Sequence, residues 1–244
     1  MDADVRAQLA PTGTLRAAIN YNNPLLARRA ETGELVGVAV DLTRALGERA
    51  DLPVQLIPYS SANDIATDAT AGAWDVAFMA SDPARADHIE FTPPYIELEA
   101  TYLVPAGSPL ARVEDVDREG VRIAMTRKSA YDLYLTRELK RAEAVRTNTT
   151  PESVQLMVTH QLDALAGLRS MLMAAADEIE GAVVLDGRFM TIPQAVGVPR
   201  GRPAATRYAS EFIETAKESG FVAGALRRHG LTANDAIVAP PHPR

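Results

Sequence analysis

Short apolar runs alternate with helical patterns along almost the whole chain, and this alternation limits the fold more than any other feature. "TLRAAIN" at 14–20 reads as a strand that ends in the turn-prone "NYNNP". After the turn residues of "TGELVG", a helical pattern follows in "VAVDLTRALGERA", where Val40, Leu42, Ala45, Leu46 and Ala50 can share one face. "LPVQLIPY" is a second strand, "SANDIATDATAGA" a short helix capped by Ser61 or Asn63, and "WDVAFMA" a third strand. "EATYLVPAGSPL" then gives a strand and a turn. "VEDV" and "GVRIAMT" give a short helix and a strand, and "SAYDLYLTRELKRA" a helix with Ser129 as N-cap.

The second half repeats the alternation. "AVRTNT" is a strand, residues 151–161 a helix, "LDALAGL" a strand, "MLMAAADEI" a helix, and "AVVLDG" and "QAVGVPR" strands. Two helices, "RPAATRYASEFIETAKESG" and "FVAGALRRHG", close the chain, and the tail "IVAPPHPR" is expected to be loose. Strands alternating with helices at this spacing predict an α/β fold with mostly parallel sheets. The pattern gives two α/β lobes joined by two crossing strands, with lobe 1 at 1–104 and 195–244 and lobe 2 at 105–194. A ligand cleft between the lobes, at the carboxyl ends of the strands, follows as an expectation.

Composition narrows the function. The 244 residues suffice for two separate cores, 47% are hydrophobic and 23% charged, and the net charge is −7. With no Lys/Arg-rich block, nucleic acid is a poor partner. A locally positive pocket for a small anion remains compatible with the overall charge. There is no cysteine, which excludes disulfides, thiolate nucleophiles and Cys-ligated zinc. His88, His160, His229 and His242 stand at no metal-binding spacing, so no metal and no cofactor is expected. No apolar run approaches the ~18–20 residues of a membrane span. "MDADVRAQLAPTG" lacks the basic and apolar regions of a secretory signal. Trp74 and Met125, Met157, Met171 and Met173 read as core, and His160 as a helix-end histidine favoured by the dipole.

The segment "WDVAFMASDPARADHIEFTPPY" places one arginine, Arg85, just past an apolar strand in loop-like sequence. By residue type alone a solvated surface arginine is the simpler reading. However, "GTLRAAINYNNP", "GELVGVAVDLTRALGERA", "GAWDVAFMASDPARADHIEFTPPY", "GVRIAMTRKSAYDLYL" and "QLDALAG" occur in the order and spacing of a known family. From about Gly13 to about Leu231 the chain resembles the type II periplasmic solute-binding proteins of ABC transporters, in the branch for polar amino acids. The resemblance implies that Arg85 grips a ligand carboxylate, for which a planar guanidinium fork is suited. It also implies a second contact at "RKSAYD", where Ser129 and Ala130 would offer backbone N–H groups and Lys128 either charge or a solvated tail. As an ordinary N-cap, Ser129 needs no ligand.

The resemblance further places Tyr21, Asn20 and Asn22 at the cleft, although an Asn-rich loop is equally a turn device. Ala80, Ser81 and Gln194 would stand near the ligand, and Tyr59 beside Ala62, which replaces a stacking aromatic. "FMASDPAR" is about two residues shorter than the usual version, and Asp82 is close enough in sequence to neutralise Arg85. Where amino-acid binders carry an aspartate for the ligand ammonium, this chain has Leu168, followed by Arg169. If Arg169 faces the cleft, the site holds two guanidiniums; if it faces solvent, Leu168 makes the site drier.

The function implied is capture of a small organic carboxylate (amino-acid-like, dicarboxylate or aromatic acid) for an ABC permease. Closure would occur about the crossing strands near 102–105 and 194–198. The expectation is a non-enzymatic, periplasmic monomer whose leader is absent from this sequence, with a cytoplasmic location as the alternative. The rival readings are a cyclohexadienyl-dehydratase-like lyase, using Asp82, Glu97 or Glu99, and a stand-alone ligand-sensing domain.

Overall fold

The computed structural model describes residues 1–242. In chain order the elements begin with α1 (Ala3–Leu9), β1 (Leu15–Asn20), β2 (Arg28–Arg29), β3 (Leu35–Val36), α2 (Val38–Ala50), β4 (Val54–Tyr59) and α3 (Ala62–Thr67). Then come β5 (Val76–Ala80), β6 (Ile89–Phe91), β7 (Ile96–Val104), β8 (Arg122–Thr126), α4 (Ala130–Glu138), β9 (Glu143–Thr147) and α5 (Thr150–Thr159). The chain finishes with β10 (Ala164–Leu168), α6 (Arg169–Glu178), β11 (Val183–Val184), β12 (Met190–Pro199), α7 (Pro203–Glu218), α8 (Phe221–Arg228) and β13 (Ile237–Val238). "VEDV" forms only a short 3-10 turn, Val113–Asp115. The fold is α/β, and the chain divides into two compact units. Unit 1 is Met1–Glu97 with the chain from Pro193 onward, and unit 2 is Leu98–Ile192. The predicted boundaries, 104/105 and 194/195, fall later in β7 and in β12.

In unit 1, β1 lies parallel between β4 and β5, and β12 pairs antiparallel with β5. β5 is buried along its whole length, as a parallel strand covered on both faces must be. Trp74, Met79, Ile65 and Ile89 form a core beneath α3, and the Trp74 indole donates to the Ile65 carbonyl at 3.1 Å. The next residue, Asp75, is fully buried and accepts from Arg16 Nε at 2.9 Å, Arg16 Nη2 at 2.8 Å and Arg202 Nη1 at 3.0 Å. This carboxylate therefore joins β1, β5 and the start of α7. Gly37 turns the chain into α2 at φ 141°, where a Cβ would stand 2.3 Å from the Leu26 carbonyl oxygen. Only glycine fits there.

In unit 2, β8 lies parallel between β9 and β10, while β7 pairs antiparallel with β10 and β11. Met157, Leu162, Leu165 and Leu172 pack α5 and α6 against this sheet. Asp117 accepts from the N–H groups of Lys140, Arg141 and Ala142 and so fixes the turn into β9. Partial burial opposes the ionised form of Asp117, but these hydrogen bonds outweigh it and lower its pKa.

Some sequence expectations need correction. Helix α1 was not anticipated; Asp2 caps it, Leu9 is buried, and Gln8 Oε1 accepts from Ala204 N at 2.8 Å. The β2–β3 hairpin was also missed, since two-residue strands carry no readable period. Met125 and Met157 are core, but Met171 is half-buried and Met173 is 46% exposed, on the outer side of α6. The tail is not loose as far as it is described. Ile237 and Val238 pair with Glu97 and Ile96, and Lys217 Nζ donates to the Pro94 and Pro240 carbonyls at 3.1 and 2.9 Å. The last two residues of "IVAPPHPR" lie outside the described residues.

Tyr95 is fully buried in unit 1, edge-on to Phe78, and its hydroxyl has no protein partner among the described residues. Tyr95→Phe is expected to raise stability by about 1 kcal/mol, because it removes an unsatisfied polar group without opening a cavity. Urea unfolding of the two proteins measures the difference. For Asp117, whose folded pKa is depressed, the stabilisation is present above the unfolded carboxylate range and is lost as pH falls through the folded pKa. The stability deficit of Asp117→Asn should accordingly shrink on acidification from neutral pH.

Candidate functional site

The parallel strands of unit 1 bring the predicted residues to one edge of its sheet. Tyr59 at the end of β4 is in register with Asn20 at the end of β1, and β5 ends beside them at Ala80. Gln194 on β12 is the register partner of Ala80 and is 2% exposed. Ser81 continues the contact, its N–H donating to the Pro193 carbonyl at 3.0 Å.

After β5 the chain makes a tight turn. Asp82 Oδ1 accepts from Ala84 N at 2.8 Å, and the Asp82 carbonyl accepts from Arg85 N at 2.9 Å. This turn sends the Arg85 side chain back under the end of β5, where Nη1 donates to the Ala80 carbonyl at 2.8 Å. Arg85 is 6% exposed, not a solvated surface residue. Burial lowers its pKa to about 10, and Asp82 acts in the opposite direction. The guanidinium therefore remains ionised at neutral pH, and Asp82 helps to keep it so.

The 20–23 loop is held largely by its own side chains. Asn20 Oδ1 accepts from Asn22 N at 3.1 Å, and Asn22 Nδ2 donates to the Ser60 carbonyl at 2.9 Å. Arg29 lies 4.6 Å from the centre of the Tyr21 ring. The Tyr59 hydroxyl donates to Asp68 at 2.8 Å, and burial, then this bond, raises its pKa to about 12. Ser61, not Asn63, caps α3, and Ala62 is its first residue.

In unit 2 the ends of β8 and β9 lead into α4 and α5. Ser129 caps α4, accepting from Asp132 N at 3.1 Å, and Ala130 is the first helical residue. Lys128 has φ +57°, a left-handed conformation in which its N–H reaches Asp132 Oδ2 at 2.6 Å. Glycine adopts this region most readily, and here a lysine is held in it. Asp132 also accepts from Arg146 Nε at 2.7 Å and is 4% exposed. Sequence reasoning overlooked Arg146, which is distant in the chain. It also overlooked a hydroxyl cluster, in which Thr147 Oγ1 lies 2.5 Å from Ser153 Oγ and Thr126 Oγ1 3.2 Å from Thr150 Oγ1. The "TNTT" run was its only trace in the sequence.

Leu168 ends β10, 8% exposed, and leads directly into α6. The next side chain, Arg169, is engaged within unit 2. Its Nε donates to Glu99 at 2.9 Å, and its Nη groups to the carbonyls of Leu185, at 3.4 Å, and Gly187. Arg188 pairs with the other oxygen of Glu99 at 2.7 Å. Among the described residues no group of His, Asp and Glu is placed to hold a metal ion, and no helix is long and apolar enough to cross a membrane.

Two α/β units, each with polar residues gathered where parallel strands end, define the bilobal binding-protein class of fold. The sequence matches the profile of bacterial extracellular solute-binding proteins, family 3, over residues 15–231, and the chain belongs to that family. Compared by sequence with curated proteins, it matches none. Among solved structures, it is similar to the ancestral amino acid-binding protein AncCDT-1, described as a precursor of cyclohexadienyl dehydratase. That match has TM-score 0.75 and 19% identity, covering 90% of this chain and 96% of the other. It is also similar to a putative ABC-transporter binding component from Wolinella succinogenes complexed with lysine, with TM-score 0.76 and 20% identity, covering 89% and 95%. A histidine kinase sensor domain matches with TM-score 0.75 and 20% identity, covering 88% and 95%. At these identities the likeness concerns the fold alone.

Asp132 should be structurally essential to its turn. Asp132→Asn keeps one acceptor oxygen but presents an NH2 donor in place of the other, so it leaves either Lys128 N or Arg146 Nε without this acceptor and is expected to cost about 2 kcal/mol. Denaturant unfolding gives the value, and faster amide exchange at 126–132 would locate it.

Proposed function

We propose that this protein is a solute-binding component that captures a small organic carboxylate and delivers it to an ABC permease. Family membership supports the class, and the buried, cationic Arg85 at the end of β5 carries the ligand assignment. A guanidinium with little water around it gains more from a carboxylate than one at the surface does. Ala80, Ser81 and Gln194 lie around the same strand end, and Asn20, Asn22, Tyr21 and Tyr59 complete the unit 1 contribution. In unit 2, Lys128, Ser129 and Ala130 at the start of α4 are the residues assigned a ligand-binding role. Leu168, at the end of β10, offers an apolar side chain, and the next residue, Arg169, is paired with Glu99. With leucine where an ammonium-binding carboxylate is expected, the ligand is a carboxylate whose recognition does not require an α-ammonium. A periplasmic monomer is the proposed state.

Binding is favoured over catalysis by the environment of Glu99. As one of the carboxylates available for acid–base chemistry, it is held by two guanidiniums, Arg169 and Arg188. Both of its oxygens are thereby committed to ion pairs within unit 2. Incubation with prephenate or arogenate tests the lyase alternative, and product formation would establish it.

Isothermal titration with a panel of aromatic acids, dicarboxylates and amino acids tests the proposal. For the ligand found, Arg85→Ala should weaken binding ~30-fold or more. Arg85→Lys, which keeps the charge and loses the fork, should fall between. Unchanged affinity in both variants would remove the anchor. For the wild-type protein, affinity should be level around neutral pH and decline as pH rises through about 10, where the Arg85 guanidinium loses its proton.

A further inference from the structure

A second concave site lies on unit 1, formed by Arg29, Glu34, Leu35, Arg44, Leu56 and Pro58. Its volume, about 290 Å³, is near the lower end of the ~300–1,000 Å³ range of small-molecule sites. The residues come from separate elements. β4 stands at the edge of the unit 1 sheet and contributes Leu56 and Pro58, which share a face because they are two apart. α2 contributes Arg44, and the β2–β3 hairpin contributes Arg29, Glu34 and Leu35.

The hairpin residues are held in place before any ligand arrives. Ala30 N donates to the Glu34 carbonyl at 2.8 Å and Gly33 N to the Ala30 carbonyl at 2.9 Å. Arg29 is oriented by the Tyr21 ring at 4.6 Å and by the Gly33 carbonyl at 3.3 Å. By contrast, the Arg44 guanidinium and the Glu34 carboxylate make no hydrogen bond or ion pair among the described residues, although both line one groove. The groove therefore offers two cations, one anion and an apolar side made by buried Leu35, half-buried Leu56 and exposed Pro58. The lining itself carries two guanidiniums and a single carboxylate.

We propose that this groove is a second ligand site, taking a small zwitterion with a short apolar body. Its carboxylate pairs with Arg44 and Arg29, its ammonium with Glu34, and its apolar part lies on Leu56, Leu35 and Pro58. The groove's lining does not include Arg85, although Arg29 contacts the ring of Tyr21, which is assigned to the ligand there. Leucine meets all three requirements, whereas 4-methylpentanoate has the same body and carboxylate without the ammonium.

Residue-resolved NMR titration of the full chain with each compound tests the proposal. The expected result is saturable shifts at the Leu35 and Leu56 methyls and the Arg44 amide, with leucine binding more tightly than 4-methylpentanoate. Arg44→Ala, on an exposed helix position, should weaken leucine about tenfold, and Glu34→Gln should remove the preference for leucine. Shifts confined to residues around Arg85, or groove shifts that persist unchanged in Arg44→Ala, would overturn the second site. Equal binding of the two compounds would overturn its assignment to a zwitterion.

Discussion

Parallel strands that end at one edge of a sheet leave their loops, helix starts and turn side chains on that edge, and much of this molecule follows from that constraint. In unit 1 the ends of β4, β1 and β5 place Tyr59, Asn20 and Ala80 in a row, and the turn after Ala80 returns Arg85 to the strand it has just left. In unit 2 the ends of β8 and β9 place Thr126 and Thr147 beside the starts of α4 and α5. Side-chain chemistry is thus concentrated by backbone geometry before any ligand is considered.

Charges removed from water are compensated within a few ångströms. Asp75 has Arg16 and Arg202, Asp132 has Arg146 and the Lys128 N–H, and Lys217 has two carbonyls and Glu214 at 2.7 Å. Arg85 has the Ala80 carbonyl and the field of Asp82. Uncompensated, any of these would loosen the surrounding structure. Most of them tie together elements distant in sequence, as Asp75 ties β1 and β5 to the start of α7. Such pairs fix the relation between neighbouring elements more than they add to stability.

The alternation of strands and helices was legible because apolar periodicity is local: β1, β4, β5, β8, β10 and helices α2, α4, α5 and α7 lie where their patterns put them. Ser61 and Ser129 were legible as caps for the same reason. The hairpin of β2 and β3 and the short β13 were not, since two residues carry no period and gain their pairing from whatever lies alongside. Helix α1 was obscured because only Leu9 marks its buried face. Arg85 stood out in the sequence as a position, but its burial did not.

By itself, the sequence determined the α/β class, the division into two units and the family, because these depend on local periodicity and on the order of several motifs. Only the tertiary structure decided which charges meet. Glu99 with Arg169 and Arg188, Asp132 with Arg146, and the groove shared by Arg29, Arg44 and Glu34 each join residues from different elements. A charge takes its partner from its neighbours in space, and no local pattern along a chain encodes those neighbours.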